Sequence, residues 1–161
     1  MEKPQGEDRA AIAYLRQGFD AQAFLLLSGP HTEKDPAARF ALGLCRLRAG
    51  ESDAAIFCFE EALRLIKALP CPPPESAENG ETYLKLAKKQ IEDERYLSPM
   101  DSGFCAEFPK FAGDMVLLAL IHVYRQKGMI SQAQKLAAGL TGPAFEEYKA
   151  ELQKDGSHGN S

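Results

Sequence analysis

The residues of this chain with catalytic or metal-binding chemistry are few and scattered. Its histidines are His31, His122 and His158, and its cysteines are Cys45, Cys58, Cys71 and Cys105. A histidine works as a general base only beside a serine or carboxylate partner, and as a zinc ligand only with further donors. His122 alone falls in a helical stretch, between Ile121 and Val123, with no such partner near it in sequence. It reads as a structural or groove-lining residue. His31 falls in a loop and His158 in the tail. No two cysteines form a C-x-x-C pair, and no histidine stands at zinc-ligand spacing from one. Cys45 and Cys58 lie in apolar helical runs and read as buried free thiols of a reducing compartment. The carboxylates of Glu92-Asp93-Glu94 leave a helix in different directions, which suits a solvated face better than a metal. A phosphate-cradling G-x-x-x-x-G-K loop is missing. The expectation is a protein that is not an enzyme and holds no cofactor and no metal.

The elements around these residues are more informative. Gly18, Gly50 and Gly128 each have a tyrosine or arginine four residues before them and an alanine, Ala23, Ala55 or Ala133, five residues after. Glycine tolerates the left-handed conformation that closes a helix, so each marks a turn between two helices. The small residue beyond it lets the second helix approach the first, at the roughly 8–10 Å spacing of packed helices. Ala55, Phe59 and Ala62 continue that face as a small–large–small stripe. Gly18 and Gly50 stand 32 residues apart, and Gly50 and Gly128 stand 78 apart. The longer gap exceeds two units of about 34 residues, so an irregular insert fills it.

Read along the chain, helices are expected over Glu7–Gln17, Ala21–Leu27, Asp35–Gly50, Ser52–Leu69, Glu81–Leu97, Pro109–Lys127, Ser131–Leu140 and Pro143–Leu152. Asp35-Pro36 is a cap followed by a first-turn proline, and Ser52 is a candidate cap for the next helix. Residues 1–6 are expected to fray. The proline-rich run from Pro70 to Pro74 predicts an extended segment, and Ser98–Gly103 a loop. Strand alternation is missing, so the fold class is all-α. At 161 residues, a single domain over 1–153 is expected, with a disordered tail over 154–161.

Composition narrows the function. The net charge of −4 and the acidic isoelectric point of about 5.4 argue against a nucleic-acid binder, which needs a basic surface. The most apolar run, Met115–Val123, is too short for a membrane span of roughly 20 residues. The polar start, Met1–Asp8, has no signal-peptide pattern. The expectation is a soluble, cytoplasmic protein.

These positions resemble those of the tetratricopeptide-repeat family. Leu42-Gly43, Gly50, Ala55, Phe59 and Ala62 match the family's pattern, with Arg46 where a tyrosine is common. Tyr14, Gly18 and Ala23 match in the first copy, with Leu27 in place of the aromatic residue. Tyr124, Gly128 and Ala133 match in the third, where Ala137 replaces the aromatic and Ile121 the small residue. The proline that usually closes a unit is missing or displaced. The resemblance implies a solenoid of antiparallel helix pairs, about seven or eight helices in all. Its repeats would cover about 7–30, 36–69 and 108–140, with an insert over 70–107 and a capping helix over 143–152.

The resemblance also implies a concave face, lined by the first helix of each pair, that holds a peptide or a partner's surface. Counted from each glycine, that face would carry Asp8, Ile12, Leu15 and Arg16, then Phe40, Leu44, Leu47 and Arg48, then Leu118, His122, Arg125 and Gln126. The partner-binding candidates are Ile12, Arg16, Phe40, Leu44, Arg48, His122 and Arg125. Arginine forks pair bidentately with carboxylates, so an acidic-apolar segment is the implied guest. Family members that bind heat-shock chaperones carry a lysine and asparagine clamp. Asp8, Ile12, Phe40 and Leu44 stand where that clamp would be, which argues against such a ligand. The function implied is a protein-interaction scaffold. The alternatives are a secretion-type chaperone, which the irregular insert disfavours, and a self-assembling structural protein.

Overall fold

The computed structural model describes residues 5–70 and 80–158. Among these residues are nine α-helices and no strand: α1 (Gln5–Arg16), α2 (Asp20–Leu27), α3 (Pro36–Arg48), α4 (Ser52–Lys67), α5 (Glu81–Glu92), α6 (Ser102–Glu107), α7 (Pro109–Gln126), α8 (Ile130–Ala137) and α9 (Glu146–His158). Single 3-10 turns cover Pro30–Thr32 and Pro143–Phe145. The class is all-α, as expected. The expected extended run over 71–74, Cys71, residues 1–4 and the last three residues lie outside the described residues.

Three helix pairs, α1–α2, α3–α4 and α7–α8, are joined by one turn used three times. Gly18, Gly50 and Gly128 have φ of 85°, 82° and 77°. Each glycine N–H donates to the carbonyl three residues back, on Leu15, Leu47 and Arg125, at 3.2, 3.0 and 3.0 Å. The following N–H donates five residues back: Phe19 to Tyr14, Glu51 to Arg46 and Met129 to Tyr124, at 2.8, 2.9 and 2.9 Å. The carbonyls left over at the helix end are thereby satisfied. Phe19, Glu51 and Met129 then share ψ of 65°, 69° and 65°, so the chain enters the second helix in the same way each time. Ala23, Ala55 and Ala133 follow with no exposed surface.

That entry explains one correction. Ser52 does not cap α4; it is the first helical residue, and Glu51 before it makes no side-chain cap bond. A capping side chain reaches its N–H from an extended backbone, and a ψ of 69° at Glu51 does not offer one. At Asp35, where φ is −106° and ψ 112°, the expected cap forms: Oδ1 accepts from the Ala37 N–H at 3.1 Å.

Inside each pair the crossing is tight. A Cβ placed on Gly43 would stand 2.5 Å from Cε1 of Phe59. The equivalent positions are Ala11 with Leu27 in the first pair and Ile121 with Ala137 in the third. All are buried. The large partner thus sits on α2, α4 and α7 in turn, always opposite a small one. Between pairs, α2 packs on α3 and α4 on α7. Lys127 pairs with Asp53, and the Tyr124 hydroxyl donates to Glu60 Oε1 at 3.4 Å. The third pair therefore rests on the second, and the connector between them is set to one side.

The connector contains two helices rather than one. α5 ends at Glu92, short of the expected Leu97, because Glu94 turns left-handed with φ 54°. Its N–H donates to Ile91 at 3.2 Å and that of Arg95 to Gln90 at 2.9 Å. This is the hairpin turn again, with a glutamate where the others have glycine. α6 lies partly where a loop was expected. Asp101 Oδ1 accepts from Phe104 N–H at 2.7 Å and caps it. The break at Phe108 follows from Pro109, which disfavours helical geometry in the residue before it. Ser102 Oγ donates to Asp35 Oδ2 at 2.7 Å, fastening the connector to the start of α3. At the other end α9 runs to His158, past the expected stop at Leu152 and into the expected disordered tail. Gln134 Nε2 donates to the Leu152 carbonyl at 3.2 Å, and Arg125 holds Asp155, so α9 is fixed against its neighbours to that point. No helix among the described residues is long and apolar enough to cross a membrane.

Candidate functional site

The seven candidate residues divide by depth. Phe40 is 0% exposed, Leu44 1% and Ile12 5%. All three are core in this structure. The ring of Phe40 lies 5.3 Å from that of Phe59, so the paired helix α4 covers it. Leu44 and Leu118 belong to one apolar cluster with Tyr96, Met100 and Cys105 of the connector. The first helix of a pair was expected to carry these side chains on the concave face, with Leu44 equally readable as core. The connector and the neighbouring helices enclose Phe40 and Leu44, because each apolar residue gains by leaving water.

The four polar candidates stay near the surface, and the two arginines in ion pairs are already satisfied. Arg48 Nη1 donates to Asp20 Oδ1 at 2.7 Å and to the Leu15 carbonyl at 3.1 Å. It ties the end of α3 to both helices of the first pair. Arg125 Nη2 meets Asp155 Oδ2 at 2.6 Å. The carboxylates expected in a guest are thus supplied by the chain's own Asp20 and Asp155. Arg16 is exposed on α1.

His122 and Arg125 are brought together in one cleft of about 460 Å³ with Glu94, Tyr96, Gln126 and Ile130. Arg48 lies instead at the junction of the first two pairs. His122 Nδ1 is 3.4 Å from the Tyr96 hydroxyl, and the two rings meet edge to face at 5.9 Å. Burial pushes the histidine below its ordinary value, with the Glu94 carboxylate opposing and the Arg125 charge assisting. Burial pushes the Tyr96 phenol well above its own. Both groups are thereby held neutral near pH 7, as hydrogen-bonding partners in a wall. The Cys105 thiol is raised to about 12, by burial first and then by the Asp35 carboxylate, and Cys45 is raised to about 11 by burial and Asp20. A thiol held neutral is a poor nucleophile.

A second concavity was missed in the sequence. Tyr83 and Leu86 of α5, Phe104 of α6, Phe108 at the break between α6 and α7, and Phe111 of α7 wall a cavity of about 480 Å³. Phe104 meets Phe108 at 5.2 Å and Phe111 at 5.4 Å, and Tyr83 meets Phe111 at 5.9 Å. Leu86 is 59% exposed at its edge, beside the exposed Lys89, Asp93 and Arg95. The signal was present: Phe104, Phe108 and Phe111 recur at helical spacing. Pro109 falls inside that run and marks a helix start, which hid the pattern. Comparison of the chain with family models, with curated proteins and with solved structures finds no match.

Proposed function

We propose that this chain is a protein-interaction scaffold of the tetratricopeptide-repeat kind, whose stacked helix pairs hold a segment of a partner protein. The observation that carries this reading is the threefold turn. Three glycines repeat one set of backbone angles and hydrogen bonds, and a fully buried alanine follows each at one spacing. A unit of that kind cannot bury its apolar face alone and is stable only when stacked. The packing of α2 on α3 and of α4 on α7 supports a row of such units. The reading is of a binding protein working in the cytoplasm without chemistry of its own. Its thiols support this: Cys45 and Cys105 are held protonated by burial, the poorly nucleophilic form.

The test is capture. The full chain, immobilised in its native cell extract, is expected to retain a defined protein that the heat-unfolded chain does not. Retention of nothing above that control by the folded chain would overturn the scaffold reading.

A further inference from the structure

We propose that the aromatic cavity between α5, α6 and the start of α7 is where that partner docks, and that its occupant is an amphipathic helix. Bulky apolar side chains of the helix would enter among Tyr83, Phe104, Phe108 and Phe111, and its flanking carboxylates would meet Lys89 and Arg95. The inference rests on the scaffold reading and gives it a location. The cavity is separate from the cleft at His122 and uses none of the residues first expected to bind.

Three observations point this way. The first is apolar shape. About 480 Å³ walled by four rings is the size of a ligand site. A small ligand, however, is normally enclosed over most of its surface, and here Leu86 at the rim is more than half exposed. An open trough of this kind suits side chains projecting from a larger body, as in the helix-in-groove mode of recognition.

The second is charge. The chain is acidic as a whole, at −4, yet among the described residues two cations and one carboxylate stand at this cavity. Lys85 and Lys88 of the same helix are held by Glu81 and Glu147 at 3.4 and 2.8 Å. Lys89 pairs with no described carboxylate, and Arg95 reaches Asp93 only at 3.8 Å. Among the described residues, then, neither cation is held as closely as Arg48 and Arg125 are. Complementary charge of this kind steers encounter and fixes register.

The third is that the walls are fixed before any partner arrives. Phe104 meets Phe111 edge to face and Phe108 at a tilt, and Asp101 caps the helix that carries Phe104. A preformed site spends little of its binding energy on ordering itself.

The experiment uses the full chain and a synthetic helical peptide, fluorescein-labelled, with leucine and phenylalanine on one face and glutamate on the other. A control peptide carries lysine for every glutamate. Anisotropy titration is expected to show saturable binding of the acidic peptide only. Amide shifts are expected to cluster at Leu86, Lys89 and Phe108. Leu86→Asp, and Lys89→Glu combined with Arg95→Glu, are each expected to weaken binding about tenfold. These side chains are exposed, so the melting temperature should not move. Equal binding of the lysine peptide, amide shifts confined to α1–α4, or unchanged affinity in both variants overturns the proposal. So does saturable binding of dodecanoate in the cavity with the acidic peptide refused. If Leu86→Asp still retains the partner captured from extract, the cavity assignment fails and the scaffold reading stands.

Discussion

Gly43 and Phe59 touch so closely that the glycine is defined by the ring opposite it. A Cβ at Gly43 would stand 2.5 Å from one ring carbon and 2.6 Å from the next, with the Cβ of Cys58 at 3.2 Å. The ring cannot swing away, because it is fully buried and Phe40 lies on it at 5.3 Å. Gly43→Ala gains helix propensity of about 1 kcal/mol. Overpacking costs about 1–3 kcal/mol. The expected net result is a loss of stability, read by urea denaturation, and partial recovery when Phe59→Leu is added. An alanine variant as stable as the parent would mean that the two helices cross further apart.

The same crossing in the third pair has its sizes reversed, with Ile121 on α7 and Ala137 on α8. Ala137→Leu alone should destabilise by overpacking, and Ile121→Ala alone by the cavity it leaves. Together they reproduce the Ala11 and Leu27 arrangement of the first pair. The double variant is therefore expected to be more stable than the sum of the single losses by about 0.5–3 kcal/mol. Strict additivity in thermal melts would show that the three crossings are not equivalent.

Glu94 stands in a turn that the pairs make with glycine, and a left-handed residue other than glycine costs roughly 1–2 kcal/mol. Glu94→Gly should raise the melting temperature. Gly50→Ala should lower it, by conformation alone, since nothing lies within 4 Å of the added Cβ. Opposite shifts in a pair of calorimetric scans are the expected result.

His122 gives stability a dependence on acid. Burial holds its folded value below the ordinary 6.5. The unfolded chain therefore takes up the proton first as the pH drops. The stabilisation is complete above about pH 6.5 and is lost as the pH falls through the lower folded value. The parent should lose stability relative to His122→Gln between pH 7 and pH 5. Parallel curves for the two proteins would place the histidine in solvent.

Much of the fold was legible because the informative residues act through backbone. Glycine at 18, 50 and 128 and the Asp35-Pro36 start constrain φ or supply a cap whatever surrounds them, and alanine at 23, 55 and 133 marks close approach. Glu94 hid the end of α5, because a left-handed glutamate has no sequence signature. Asp101 hid the start of α6, a short helix held by its cap and by contact with α3 and α7. The candidate site was less legible. Spacing from the glycines gave the helix face but not its depth, so Leu44 and Leu118 could be read either as groove or as core, and Phe40 as groove. The aromatic cavity draws on residues from Tyr83 to Phe111 across two helix breaks, and no single periodicity spans them.

The placement of α7 directly on α4 has a consequence for how such a chain can change. Lys67 and Pro109 bracket a stretch that the contact between those helices does not require to have any given length. Closing a longer flexible span costs only about 0.6 kcal/mol for each doubling. Length can be added there while the chassis keeps its register, provided that Tyr96, Met100 and Cys105 stay packed with Leu44 and Leu118. Altered recognition can accordingly evolve, or be engineered, at the exposed positions of that interval.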